Sequence, residues 1–162
     1  MARQREPEGP PPAQVVQKVR LRYAKRGRLR FSSTRDFQRA LERALRRAQV
    51  PIAFSAGFHP HPRISYANAA STGTASEAEY VELALTRSVD PATLAAALDA
   101  ALPPGLDIVA AAEATPGALA DRLQASDWAI AVRGMDASEL GAAIETFLAA
   151  ERIEVSRMFK TG

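Results

Sequence analysis

The chain has 162 residues, with 21 Lys or Arg against 18 Asp or Glu, no Cys and two His. A domain takes roughly 100–200 residues, which allows one domain and part of a second. Without Cys there is no disulfide framework, no thiolate zinc site and no iron–sulfur cluster held by this chain, and no apolar run approaches the roughly 18–20 residues of a membrane span.

Residues 1–14, MARQREPEGPPPAQ, carry charges and Pro but no apolar stretch. They read as a disordered tail rather than a secretory signal, and the expected location is the cytoplasm. From Lys18 to Arg47 there are 12 Lys or Arg and two acids, Asp36 and Glu42, a balance of 12 − 2 = +10. The remaining 132 residues carry 9 basic and 16 acidic groups, a balance of −7. A formal net charge of +3 thus hides one dense cationic block, a pattern suited to a polyanion.

In that block Val19, Leu21 and Tyr23 alternate with Lys18, Arg20 and Arg22, the period of a half-buried strand. Lys25-Arg26-Gly27 reads as a turn, and Arg28-Leu29-Arg30-Phe31 alternates again, predicting the second strand of a hairpin. Ser33 with Asp36 three residues on makes a capping-box-like helix start. Phe37, Ala40, Leu41, Ala44, Leu45 and Ala48 then form one helical stripe that ends near Gln49, before Pro51. Arg35, Arg39, Arg43, Arg46 and Arg47 lie off the stripe.

Ile52 and Phe54 look like a strand, HPHP like a stiff loop, and Ile64 with Tyr66 like another strand start. Glu77 to Thr86 alternates clearly, with Tyr80, Glu82, Ala84 and Thr86 on one face and Val81, Leu83 and Leu85 on the other. Asp90-Pro91 starts a helix carrying Leu94, Leu98, Ala101 and Leu102, Pro103-Pro104-Gly105 stops it, and Leu106 to Ala112 reads as a strand. The expected fold is α+β: a ferredoxin-like split βαβ domain over 15–115, an antiparallel sheet with helices on one face. The pattern restarts after Thr115-Pro116-Gly117. Trp128–Val132 and Ile153–Phe159 look like strands flanking a helix with Leu140, Ile144, Phe147 and Leu148, so 118–162 is expected to be a partial second unit of similar type, either truncated at its C-terminus or with its second half lying elsewhere.

Three stretches, RLRFSSTRDFQRALERALRRAQVP, SAGFHPHPRISYANA and GTASEAEYVEL, together resemble the radical SAM-associated (radical SAM-linked) uncharacterised family, the DUF2344 domain. Arg30, Phe31, Ser33 and Asp36 match its first motif, with Thr34 standing where the family usually has His. Gly57, Phe58, Pro60, His61, Pro62 and Ser65 match the second, and Ser76, Glu77, Glu79 and Tyr80 the third. Members of that family stand alone or at the C-terminus of cobalamin-binding radical SAM proteins, so the resemblance implies a role in modifying RNA or another substrate. The radical chemistry itself needs a cluster held by three Cys, which this chain lacks.

The residues leave three readings. The first is a non-catalytic RNA-binding accessory module, with tRNA or rRNA as ligand, a radical SAM partner, and no cofactor. Arg28, Arg30, Arg35, Arg39, Arg43 and Arg46 would meet phosphates, and Phe58, His61 and Arg63 a base or loop nucleotide. The second is a module docking the same basic face onto an acidic surface of a radical SAM partner. The third is a metal-independent endoribonuclease in which His61 serves as acid or base, with Asp36 as the other candidate. His59 and His61 are weak metal candidates that would need Asp36 or Glu79 as a third ligand. Glu77 and Glu79, on one strand face, read first as an acidic face, and Trp128 as core or rim.

Overall fold

A computed structural model of the chain describes residues 11–67 and 69–156. It divides into two compact units, Met1–Gln124 and Ala125–Gly162. The first holds β1 (Gln17–Lys25), α1 (Thr34–Arg47), β2 (Ile64–Tyr66), β3 (Ser76–Leu85), α2 (Pro91–Ala101) and β4 (Leu106–Glu113). The four strands form one sheet in the order β2-β3-β1-β4 with every neighbouring pair antiparallel. That order and the βαββαβ succession make the unit an α+β, ferredoxin-like fold.

The core follows from the two periodicities. Val19, Leu21 and Tyr23 of β1 and Val81, Leu83 and Leu85 of β3 turn to one face of the sheet. There they meet Phe37, Leu41 and Leu45 of α1 and Leu94 and Leu98 of α2, all buried. Tyr23 stacks flat on Phe37, ring centroids 3.9 Å apart. Both helices are capped as the sequence suggests. Ser33 and Asp36 form a reciprocal capping box on α1, and the Asp90 side chain accepts from the Thr93 amide ahead of Pro91 in α2.

The expected hairpin is absent. Gly27–Phe31 is a 3-10 helix, not a strand. The reason is topological: β1 is paired along one edge by β3 and along the other by β4, so neither edge is left for a hairpin partner. Ile52 and Phe54 make only isolated bridges, to Leu85 and Pro62, rather than a strand.

In the second unit α3 (Ala137–Ala149) starts at a capping box formed by Asp136 and Glu139. The strand expected at Trp128–Val132 does not form, and residues 153–156 have no regular structure, while Phe159 lies outside the described residues. An isolated strand leaves its amides and carbonyls unpaired, and among the described residues this unit offers it no neighbour. Nor is Trp128 core or rim: it is 69 % exposed, and Ile144, Phe147 and Leu148 on α3 are exposed too. Among the described residues no helix is long and apolar enough to cross a membrane.

Candidate functional site

β1 carries two kinds of side chain to two sides of the sheet. Its apolar residues face the helices, and Lys18, Arg20 and Arg22 face the open side, where Arg20 lies between Glu82 of β3 and Ala112 of β4. Glu82 is buried although it stands on this open side. Its Oε1 accepts from Lys18 Nζ at 2.9 Å and its Oε2 from Arg20 Nε at 2.8 Å. Burial alone would raise the Glu82 carboxyl, but these two cations outweigh it and hold it below the ordinary carboxylate range. Arg20 Nη2 further donates to the carbonyls of Thr115 and Gly117, tying down the chain beyond β4.

The cationic block is thereby sorted. Lys18 and Arg20 share Glu82, and Arg26 bridges Glu77 and Asp107. Lys25 is buried, its Nζ donating to the carbonyls of Ala70 and Ser71, while Arg47 donates to the Ala101 carbonyl. What is left on the helix side are Arg28 and Arg30 on the 3-10 helix and Arg35, Arg39, Arg43 and Arg46 along α1. All six are exposed and none forms an ion pair among the described residues. From Arg35 to Arg46 is 11 residues, a rise of about 16 Å along the helix.

Two of the expected clusters separate in space. β1 runs away from Gln17 and α1 runs back, so Arg28, Arg30 and Arg35 sit at the end of the sheet where β4 begins, and Arg46 at the opposite end. The loop before β2 is at that opposite end, since Ile52 bridges Leu85 and Ile64 pairs with Leu83. Within it Ser55 grips His61: the Ser55 amide donates to the His61 carbonyl at 2.8 Å, and the His61 amide to Ser55 Oγ at 3.0 Å. His61 and Arg63, with Lys18, Ser65 and Glu82, line a shallow hollow of about 270 Å³ on the open side of the sheet. The sheet therefore stands between this hollow and the arginines of α1. Phe58, in the same loop, is 63 % exposed.

The acid–base and metal candidates are likewise apart. Asp36 is bound into the α1 cap, where hydrogen bonds from the Ser33 hydroxyl and amide lower its carboxyl below the usual range. Glu79 is buried and accepts from the Ala70 amide. Both belong to the end of the sheet remote from His59 and His61, and no group of three His, Asp or Glu side chains gathers among the described residues. Glu77 and Glu79 do not act together: Glu77 is exposed and paired with Arg26, and Glu79 is interior.

An aromatic outside the expected contact set joins the basic stripe. Phe31, whose alternation with Leu29 predicts a strand, is 59 % exposed at the end of the 3-10 helix. The Arg30 guanidinium lies 4.6 Å from its ring centroid. The loop through Gly73 lies beside it, with the Gly73 amide donating to the Arg30 carbonyl at 2.7 Å. The signal available was its place directly ahead of the helix cap, where a strand would have to end.

A family model described as an uncharacterised protein conserved in bacteria, DUF2344, matches residues 18–162. The chain belongs to the DUF2344 family. The match takes in both units, including α3 and the segments around it, so the second unit of this DUF2344 chain is part of the family pattern. Searches for similar curated proteins and for similar solved structures found no match.

Proposed function

We propose that the chain is a non-catalytic RNA-binding module, serving a partner that modifies or processes tRNA or rRNA. The observation that supports it is the sorting of the cations. Of the twelve cations in the block, six exposed arginines remain on one helix and the short turn before it without an ion-pair partner among the described residues; five others have one or are held internally, and Arg22 alone stands exposed and unpaired on the open side of the sheet. Like charges four apart on a helix cost a few tenths of a kcal/mol each, so Arg35, Arg39 and Arg43 are not arranged for stability. Guanidinium groups pair bidentately with phosphate and stack on bases. Phe31 with Arg30 adds a flat surface beside the stripe, which favours unpaired nucleotides over a regular duplex.

The partner in this reading is a radical SAM enzyme of the cytoplasm, which supplies the cluster this chain lacks. Measuring affinity for purified tRNA and rRNA at two salt concentrations, with Arg39, Arg43 and Arg46 replaced together by Glu, tests the reading. Salt-sensitive binding that is lost in the variant supports it. Tight RNA binding by the triple variant overturns the placement of the site. If neither protein binds RNA, the same face serves an acidic protein instead.

A further inference from the structure

The hollow on the open side of the sheet has a composition of its own. Lys18 and Arg63 bring two positive charges, Ser55 and Ser65 two hydroxyls, and His61 an imidazole, around a carboxylate, Glu82, that is already engaged. Each Glu82 oxygen already accepts from one cation, so the carboxylate acts as an anchor. It fixes the Lys18 ammonium, whose other two N–H bonds are free for a ligand. Counting Arg20, the charges here are three positive and one negative, which leaves the hollow attractive to an anion.

We propose that this hollow is a second binding site, distinct from the α1 stripe, and that it takes a phosphate monoester, either the terminal phosphate of an RNA strand or that of a free nucleotide. A dianion with three terminal oxygens matches two cations and two hydroxyls better than a carboxylate does. At about 270 Å³ the hollow falls just below the roughly 300–1,000 Å³ of small-ligand sites, which suits a phosphate and part of its sugar rather than a long chain. The rim is held before the ligand arrives. Ser55 and His61 clasp each other by two hydrogen bonds, the Arg63 amide donates to the Ala53 carbonyl at 2.7 Å, and the Ala84 amide donates to the Arg63 carbonyl at 3.1 Å.

The test is a titration of the full chain with adenosine 5′-monophosphate, adenosine, and one short oligoribonucleotide with and without a 5′-phosphate, followed by backbone amide shifts. The monophosphate is expected to bind near the millimolar range, shifting the amides of Ser55, Arg63, Ser65 and Ala84, and adenosine is expected to leave them in place. Arg63→Ala should weaken that binding by about tenfold, while the Arg39, Arg43 and Arg46 triple variant retains it. Because that variant is the one that removes RNA binding at α1, the two sites fail separately. A phosphorylated oligonucleotide that outbinds both the monophosphate and its own 5′-hydroxyl form identifies an RNA end, and equal affinity for the monophosphate identifies a nucleotide. Shifts that are the same with adenosine, or that survive Arg63→Ala unchanged while its amide spectrum shows an intact fold, overturn the proposal.

Discussion

Replacing Arg39, Arg43 and Arg46 together by Glu gives the most direct quantitative test of the basic stripe. All three are exposed on α1, opposite the buried Phe37, Leu41 and Leu45, and none of their side chains makes a hydrogen bond or ion pair among the described residues. The capping box at Ser33 and Asp36 is three residues or more away. Arg39 faces Asp36, and Arg46 lies in the last helical turn four residues from Glu42, so stability should stay within about 1–2 kcal/mol of the original, which thermal unfolding checks. Binding should not. If all six free arginines of the helix side meet phosphates, the slope of log affinity against log salt is about −0.7 for each, or about −4 in all. A rise from about 50 to 200 mM salt then costs the unaltered chain a few hundredfold in affinity, and costs whatever weak binding the other three arginines leave in the triple variant only about twentyfold at most. Filter binding or fluorescence anisotropy with a labelled tRNA reads both slopes. An unchanged slope in the variant refutes the idea that these side chains touch phosphate, whatever the absolute affinity.

Three further outcomes follow from the packing. Glu82 has a folded-state carboxyl held below its ordinary value, so its pairing with Lys18 and Arg20 contributes fully above a pH of about 4.3 and is lost as pH falls through the lowered folded value. Glu82→Gln should cost about 2 kcal/mol at neutral pH, with Arg20 only 15 % exposed, and should flatten the acid limb of the stability profile measured by urea unfolding. Ser33→Ala removes the hydroxyl that accepts from the Asp36 amide and should cost about 1 kcal/mol, read as a drop of about 3–6 °C in Tm. Gly105 has a φ of +96°, and a Cβ there would stand 3.0 Å from the Arg26 carbonyl oxygen, so Gly105→Ala should destabilise by at least 1 kcal/mol, visible as a lower urea midpoint with unchanged slope.

Elements with a clean period were legible from the chain. α1 shows its stripe and cap, α2 its Asp-Pro start, and β3 its alternation, because each of these signals lies within about a dozen neighbouring residues. What escaped was decided by pairing across long separations. Arg28 to Phe31 alternates like a strand, yet the two edges it might join are claimed by Ser76–Leu85 and Leu106–Glu113. Glu82 alternates onto the outer face of β3, as expected, but register puts it between Ser65 and Arg20, and cations cover it there. The same register separates His61 and Arg63 from the α1 arginines with which they had been grouped. Side-chain type was readable locally; which face of the sheet each group shares was not.

The central place of β1 has a consequence for how the chain acquires its fold. β1 leaves the ribosome first among the strands, but its partners are distant: Gln17 pairs with Leu85, and Val19 with Glu113. α1 can form early on local signals, whereas the strand before it waits through more than fifty residues for one neighbour and more than eighty for the other. Long-range pairings of this kind slow folding, and an unpaired strand carrying Val19, Leu21 and Tyr23 is open to intermolecular pairing meanwhile. The alternating Lys18, Arg20 and Arg22 guard that interval, since charge on a waiting edge opposes its pairing with another copy. The cations of β1 thus protect the nascent chain before two of them find Glu82.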